Sequence, residues 1–99
     1  MREYFTADNV KYLVSLLVLI IMEKALILLK VECLGEDCIE EVLNRVKQKS
    51  EVKEAGMTFG EFDVYLIAEV SKSLEMTKLV MEIRGYPSVV STTTLLIVA

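Results

Sequence analysis

The stretch that decides the fold is FDVYLIAEV, residues 62–70, which follows the Gly60-Glu61 pair. Successive residues of a strand point to opposite faces of a sheet. One face of this segment is wholly apolar and predicts a core face, formed by Phe62, Val64, Leu66, Ala68 and Val70. The other face carries Asp63, Tyr65, Ile67 and Glu69. The segment therefore predicts a strand that is buried on one side and still partly apolar on the other.

Two further strands are predicted upstream. VKEAGMTF, residues 52–59, alternates in part and forms the first arm of a hairpin, with Gly56 as the candidate position of a β-bulge. Gly60-Glu61 predicts the short turn between the two arms. ALILLKVEC, residues 25–33, is short and aliphatic and is bounded by Leu34-Gly35, which predicts another strand.

Two amphipathic helices separate the strands. The first follows Glu36 and Asp37, whose negative charge suits a helix N-terminus. Its apolar stripe recurs at i, i+3, i+4 and i+7 and consists of Ile39, Val42, Leu43 and Val46. The second helix is expected to be capped by Ser71 or Ser73 and to end at Gly85-Tyr86-Pro87, since proline cannot continue a helix. Its stripe is Met76, Leu79, Val80 and Ile83.

The last segment, VVSTTTLLIV at residues 89–98, is rich in β-branched residues and predicts a strand. The order β-α-β-β-α-β indicates an α+β, ferredoxin-like fold, with a four-stranded antiparallel sheet and both helices on one face. Residues 25–29 and 95–98 are apolar on both faces of their strands. Because a sheet with one solvated face should alternate, we expect the second face to pack on another copy and form a homodimer.

Residues 1–23 are interpreted as an N-terminal extension of a domain at residues 24–99. The charge-free run within VKYLVSLLVLIIM covers residues 12–22, whereas a membrane span needs about 20 residues, so a spanning helix is disfavoured. The run is apolar on all sides and is unsuited to lie free in water. Three interpretations stay open: burial in an oligomer interface, an extension upstream of a domain that begins at Met22, and a membrane anchor.

Composition excludes several functions. The chain has 99 residues, which suggests one domain, and 54% of them are hydrophobic. The net charge of −4 argues against direct nucleic-acid binding, which needs a basic face. The absence of histidine excludes Ser-His-Asp and Cys-His sites within one chain. We predict no catalytic residues, no metal site and no cofactor. Cys33 and Cys38 are expected to be reduced, partly buried thiols of a cytoplasmic protein, and a local disulfide between them is the alternative.

The order of elements and three motifs together resemble a known family. The motifs are the turn Gly60-Glu61-Phe62-Asp63, the turn formed by residues 85–89, and the Thr-rich strand around residues 91–96. Their combination resembles the ligand-binding domain of the Lrp/AsnC transcription regulators, also called the RAM (regulation of amino acid metabolism) domain. The resemblance covers residues 24–99. Phe62 fills the aromatic place of the family's Gly-x-aromatic-Asp turn, whereas Ser88 stands where glycine is usual.

The resemblance implies a non-catalytic domain that binds a small molecule, an amino acid in the first instance. Family members form dimers through the sheet, and the dimers assemble further, often to octamers, with amino acids bound between dimers. Carried over, the implied binding residues are Gly60, Phe62, Asp63, Thr92 and Thr94. Asp63 would accept the ligand ammonium, and backbone N–H groups near Gly60 and threonine hydroxyls would donate to its carboxylate. Met57 or Tyr65 are further candidates for contact with the ligand side chain.

Full-length regulators also carry an N-terminal helix-turn-helix domain. Residues 1–23 are too short and too apolar to form one. We therefore expect an effector module without its own DNA-binding part, which could join mixed assemblies with full-length regulators through the shared interface. Direct contact with nucleic acid and with membranes is not expected.

The same residues have purely structural interpretations. In these interpretations Gly60 is simply a turn residue, and Asp63 only hydrogen-bonds the turn. Thr92 and Thr94 are then ordinary strand-forming residues. Two other functions also stay open. The first is a small dimeric ferredoxin-like enzyme of the monooxygenase or isomerase type, with Tyr65 and Asp63 transferring protons. The second is a membrane-associated interaction protein anchored by residues 10–22.

Overall fold

The strand and helix order predicted from the sequence is confirmed. A computed structural model of the chain describes residues 22–33 and 37–98. Its elements are β1 (Glu23–Val31), α1 (Cys38–Lys47), β2 (Val52–Met57), β3 (Val64–Val70), α2 (Ser73–Arg84) and β4 (Val89–Ile97). The predicted ends of the strands lie within two residues of these bounds. The N-terminal apolar run up to residue 21, with its three interpretations, lies outside the described residues.

The four strands form one antiparallel sheet in the order β2-β3-β1-β4. Strand β1 lies in the middle and pairs with both β3 and β4, so that Leu29 faces Val64 on one side and Thr92 on the other. Among the strands that the structure describes, β2 and β4 form the two edges. This arrangement brings the start of β3 and the start of β4 to the same end of the sheet, on either side of the end of β1.

The core lies between the helices and one face of the sheet. Alternate residues of β1 and β3 are fully or almost fully buried: Ala25, Ile27, Leu29, Val31, Val64, Leu66, Ala68 and Val70. The helices bury Val42, Leu43 and Val46 from α1 and Met76, Leu79 and Ile83 from α2 against them. The spacing of these residues confirms that both helices cover the same face.

The face of the sheet away from the helices, called here the outer face, keeps apolar residues. Leu26 of β1 lies between Ile67 of β3 and Leu95 of β4 in one row of paired residues. Leu26 and Ile67 are half-buried, and Leu95 is 50% exposed. The next row on this face carries a charged pair, in which Lys24 Nζ lies 3.9 Å from a carboxylate oxygen of Glu69. The two-sided apolar character predicted for β1 and the end of β4 is therefore present.

Gly56 is not at a bulge, which corrects the sequence-based expectation. Gly56 pairs regularly with Tyr65, and the register of β2 against β3 shifts between Val52 and Glu54 instead. The ring of Tyr65 covers Gly56, and its hydroxyl donates a hydrogen bond of 2.9 Å to Glu54. The glycine is needed for this close approach, because a Cβ at position 56 would lie 2.6 Å from Cε1 of the ring.

The cysteines are also not free, which corrects a second expectation. Cys33, just after β1, and Cys38, the first residue of α1, form a disulfide with their Cα atoms 6.3 Å apart. The separation falls within the range that a disulfide can bridge. The pairing depends on how β1 and α1 approach in space, which the five-residue spacing alone left undetermined.

The N-terminal cap of α2 differs as well. Lys72, rather than Ser71 or Ser73, holds the N-cap position, and no side chain caps the helix there. The backbone N–H and the hydroxyl of Ser71 instead donate to the carboxylate of Glu75, at 3.2 Å for the N–H. Glu75 therefore ties the residue before the N-cap to the first turn, as the acidic member of a capping box does, and its charge suits the helix N-terminus.

The two helices are joined by contacts around Tyr86. The guanidinium carbon of Arg45 lies 4.0 Å from the centre of the Tyr86 ring, and Lys49 forms an ion pair with Glu82. Tyr86 is 4% exposed, although it follows the end of α2. Its backbone is held by a hydrogen bond of 3.0 Å from its N–H to the carbonyl of Ile83. The Tyr86 ring is therefore a core residue that also receives a cation–π contact.

We predict that Tyr86→Ala lowers the free energy of unfolding by about 3–5 kcal/mol, because it removes a buried aromatic ring. Tyr86→Phe keeps the ring and the Arg45 contact and should stay within about 0.5 kcal/mol of the wild type. Urea denaturation followed by circular dichroism would measure both. A phenylalanine variant as unstable as the alanine variant would contradict this account.

We also predict that Gly56→Ala displaces the Tyr65 ring but destabilises the fold by less than about 1 kcal/mol, because the half-buried ring can turn away and alanine suits a strand better than glycine does. In the wild type, the hydrogen bond to Glu54 is the main cause that raises the pKa of Tyr65 above its usual value near 10. That bond stabilises the fold below about pH 10, and its contribution is lost as the pH rises through the raised pKa. Gly56→Ala should lower the pKa of Tyr65.

The difference in absorbance at 295 nm between each protein and its Tyr65→Phe counterpart would report that pKa. Glu54→Gln serves as a matched control, because it should lower the pKa without a steric clash. An unchanged Tyr65 pKa in Gly56→Ala would show that the ring does not need to move.

Candidate functional site

The turn that carries three of the predicted binding residues is longer than expected. Residues 58–63 connect β2 to β3, instead of the two residues Gly60-Glu61. Two hydrogen bonds close the loop: Thr58 N–H donates to the carbonyl of Asp63 at 2.9 Å, and the Thr58 hydroxyl donates to the carbonyl of Phe62 at 2.8 Å. Phe62 consequently lies before β3, half-buried, rather than within the strand.

Gly60 occupies the tip of this loop with a φ of +116°. Residues with a side chain rarely adopt this conformation, so glycine is required by the backbone. The neighbouring Phe59 is fully exposed at 107% of its reference area. Phe59 was predicted to end a strand and was not among the predicted binding residues. Its position beside Gly60 makes it an additional candidate for ligand or subunit contact.

Asp63 ties the loop to the central strand. Its backbone N–H donates to the carbonyl of Leu29 at 2.9 Å, and its Oδ2 accepts a hydrogen bond of 2.7 Å from the N–H of Val31. The carboxylate therefore supplies an acceptor for β1 just beyond the last backbone pair between β1 and β3. This is a structural role, but it uses only one of the two carboxylate oxygens. Asp63 is half-buried, so the other oxygen can accept a donor from a ligand.

Thr92 and Thr94 lie on β4, on the other side of β1. Thr92 pairs with Leu29 and is half-buried, whereas Thr94 pairs with Ile27 and is exposed. Leu29 therefore accepts a backbone hydrogen bond from Asp63 on the β3 side and pairs with Thr92 on the β4 side. Two strand spacings, about 10 Å, separate the backbones of Asp63 and Thr92. The structure brings Gly60, Phe62 and Asp63 together in one loop and places the two threonines apart from them.

Thr92 lines a surface depression of about 360 Å³ together with Arg84, Val89, Val90 and Ser91. Arg84 is the last residue of α2 and was not among the predicted binding residues. The sequence feature that could have pointed to Arg84 is its position directly before the Gly85-Tyr86-Pro87 turn. A second depression, of about 380 Å³, lies beside β2 and is lined by Lys47, Val52, Lys53, Glu54 and Ala55. None of the predicted binding residues lines it.

The arrangement does not assemble Tyr65 and Asp63 into a proton-transfer pair. Tyr65 lies on the outer face and donates to Glu54, and this hydrogen bond raises its pKa. Asp63 is engaged with the N–H of Val31 at the end of β1. A tyrosine with a raised pKa is a weaker acid at neutral pH, so the geometry does not favour the enzyme interpretation. In the part of the chain that is described, neither helix is long and apolar enough to cross a bilayer.

The comparisons with known proteins agree with this fold. A model of the Lrp/AsnC ligand-binding domain matches residues 24–99, which is most of the chain. The chain therefore belongs to the Lrp/AsnC ligand-binding domain family and is an effector-binding domain of the regulatory class. A search of curated protein sequences found no match.

Solved structures share this fold. The hypothetical protein PHS023 from Pyrococcus horikoshii is 26% identical, with a TM-score of 0.68, over 78% of this chain and 90% of that one. AsnC from E. coli is 16% identical, with a TM-score of 0.70, over 86% of this chain and 55% of that one.

The regulator NMB0573 from Neisseria meningitidis, solved as a complex with L-Met, is 18% identical, with a TM-score of 0.70, over 78% of this chain and 50% of that one. AsnC and NMB0573 show the shared fold at these identities, and the chain matches about half of each.

We predict that Asp63→Ala lowers the free energy of unfolding by about 1–3 kcal/mol, because it leaves the N–H of Val31 without its acceptor. Asp63→Asn retains an amide oxygen that can accept the same bond and should cost less than about 1 kcal/mol. Urea denaturation of both variants would test this. Equal losses in the two variants would show that the charge, not the hydrogen bond, stabilises the end of β1.

Proposed function

We propose that the chain is a non-catalytic, cytoplasmic effector module that binds an amino acid and assembles into dimers and higher oligomers. The observation that carries the proposal is the match of residues 24–99 to the Lrp/AsnC ligand-binding domain. The L-Met complex of NMB0573, a protein of the same fold, supports an amino acid as the class of ligand. Gly60, Phe62, Asp63, Thr92 and Thr94 are the proposed binding residues.

The geometry supports a role for Asp63 in binding the ligand ammonium. A carboxylate that is fixed by a backbone hydrogen bond is held in one orientation, and its second oxygen can accept a charge-assisted hydrogen bond. The conformation of Gly60 leaves the backbone of the loop tip free of side-chain obstruction, since nothing lies within 4 Å of the place a Cβ would occupy. Backbone N–H groups of the loop can therefore approach a carboxylate closely.

The outer face supports assembly into dimers. The row formed by Ile67, Leu26 and Leu95 is apolar across three strands, and Leu95 is half exposed in a single chain. Burying this row against the same row of a second copy would remove apolar area from water. Mixed assembly with full-length regulators through the same face is part of the proposal. Co-purification with such a regulator would test it, and failure to associate at high concentration would contradict it.

Calorimetric titration with each of the twenty amino acids, together with the solution mass of the protein, would test the proposed function. We expect saturable binding of at least one amino acid by a dimer or larger assembly. Asp63→Asn should weaken that binding by about tenfold or more, because it removes the charge opposite the ammonium and preserves the fold. Asp63→Ala is less suitable, since the loss of the Val31 hydrogen bond would confound the result.

Glu61→Gln is the matched control, because Glu61 is an exposed acidic residue of the same loop. It makes the same charge change as Asp63→Asn and should bind as the wild type does. A well-defined oligomer that gives no heat with any amino acid would contradict amino-acid binding and leave the fold assignment intact. A monomeric solution mass would contradict the proposed assembly.

A further inference from the structure

We propose that the disulfide between Cys33 and Cys38 is a redox switch that sets how firmly the end of β1 is held, and with it the carboxylate of Asp63. The bridge joins the residues just after β1 to the first residue of α1. The switch itself is independent of the proposed function. Its expected effect on amino-acid binding rests on that function.

Three successive residues at the end of β1 contact three different segments of the chain. The N–H of Val31 donates to Oδ2 of Asp63 at 2.7 Å, and the N–H of Glu32 donates to the carbonyl of Ser88 at 2.9 Å. Cys33, the next residue, is bonded to the start of α1. The disulfide thus fixes the residue that directly follows both hydrogen-bond donors, and it opposes local opening of the chain there.

The sheet itself holds this end of β1 less firmly than the middle of the strand. The paired residues of β1 and β3 end at Leu29 and Val64, and the register of β1 against β4 shifts between Lys30 and Val31. Glu32 is exposed. Exposed ends of strands open locally at a lower free energy than paired core positions do. Loss of the disulfide should therefore act first on the N–H groups of Val31 and Glu32.

The rest of the fold does not depend on the bridge. The two cysteines are only five positions apart, and a disulfide that closes a short loop stabilises a protein less than one that closes a long loop. Helix α1 is anchored separately, because Val42, Leu43 and Val46 are buried against the sheet. Both redox states are therefore expected to be folded, which a switch requires.

The bridge is accessible to an external dithiol, since Cys33 is exposed and Cys38 is half-buried. A thiolate of the dithiol attacks Sγ of Cys33, the bond to Cys38 breaks, and Sγ of Cys38 keeps the electron pair and takes up a proton. The second thiol of the reagent then releases Cys33 as a thiol and leaves a cyclic disulfide. The dithiol is oxidised, and the protein gains two electrons and two protons.

The compartment proposed for this chain makes the state of the bridge depend on conditions. In the cytoplasm, glutathione and dithiol proteins keep most thiols reduced, and disulfides that form there are often transient and redox-sensing. The alternative is a permanent structural bridge, which glutathione does not reduce.

The first experiment separates these two roles. The protein is equilibrated with mixtures of reduced and oxidised glutathione, its thiols are alkylated, and their number is counted by mass spectrometry, while circular dichroism follows the fold. We expect the folded protein to lose and regain the disulfide within the range of these mixtures. A disulfide that stays intact in the most reducing mixture, or whose reduction unfolds the domain, would overturn the proposal.

The second experiment measures amide hydrogen exchange of the oxidised protein, of the protein reduced by dithiothreitol, and of the double variant Cys33→Ser, Cys38→Ser. We expect the N–H groups of Val31 and Glu32 to exchange about fivefold or more faster in the reduced protein and in the variant. Exchange at Ile27, in the middle of β1, should be unchanged within about twofold.

The double variant is also the control for the reagent, because dithiothreitol should not alter its exchange. Equal exchange of Val31 and Glu32 in the oxidised and reduced protein would overturn the switch. Acceleration of Ile27 to the same extent would also overturn it, since the bridge would then stabilise the whole domain and not the end of β1.

The third experiment titrates the oxidised and reduced proteins with each of the twenty amino acids. An Asp63 carboxylate that Val31 holds in place is ordered before the ligand binds, so the oxidised protein should bind about fivefold or more tightly. Equal affinities would overturn the link between the bridge and Asp63. Absence of binding in both states would contradict the proposed function, whereas the hydrogen-exchange result would still decide the switch.

Discussion

The structure depends on the position of β1 in the middle of the sheet. β1 pairs with β3 on one side and β4 on the other, while its two faces meet the core and the outer face. Ala25, Ile27 and Leu29 are fully buried on the core face, whereas Leu26 and Leu28 are half-buried on the outer one. Every part of the candidate site is fixed relative to this strand, since Asp63 binds the backbone at its end and Thr92 pairs with it.

The fold was largely predictable because buried residues recur in the sequence with the period of the strand or helix that carries them. The alternation in β3 and the two helical stripes identified the core face, and the unusual apolar residues on both sides of β1 identified the outer face. The family assignment followed from the same order of elements together with the two turns. These features depend on residues close together in the chain, for which the sequence pattern is informative.

The remaining features depend on contacts between distant residues. The loop at residues 58–63 is closed by Thr58, which bonds the carbonyls of Phe62 and Asp63. The disulfide depends on the approach of β1 to α1, and the regular pairing of Gly56 depends on the Tyr65 ring above it. The depression beside Arg84 was not predicted either, because it depends on how the end of α2 meets the start of β4.

The edge strand β4 has a practical consequence for handling the protein. The end of β4 and the following Val98 combine a backbone edge that pairs with none of the other described strands with exposed aliphatic side chains: Leu95, Leu96, Ile97 and Val98 are 50%, 58%, 37% and 85% exposed. Short aliphatic segments that are uncharged and lack proline are prone to form intermolecular sheets. Conditions that loosen the fold without fully unfolding it, such as mild denaturant, should therefore favour precipitation of the protein.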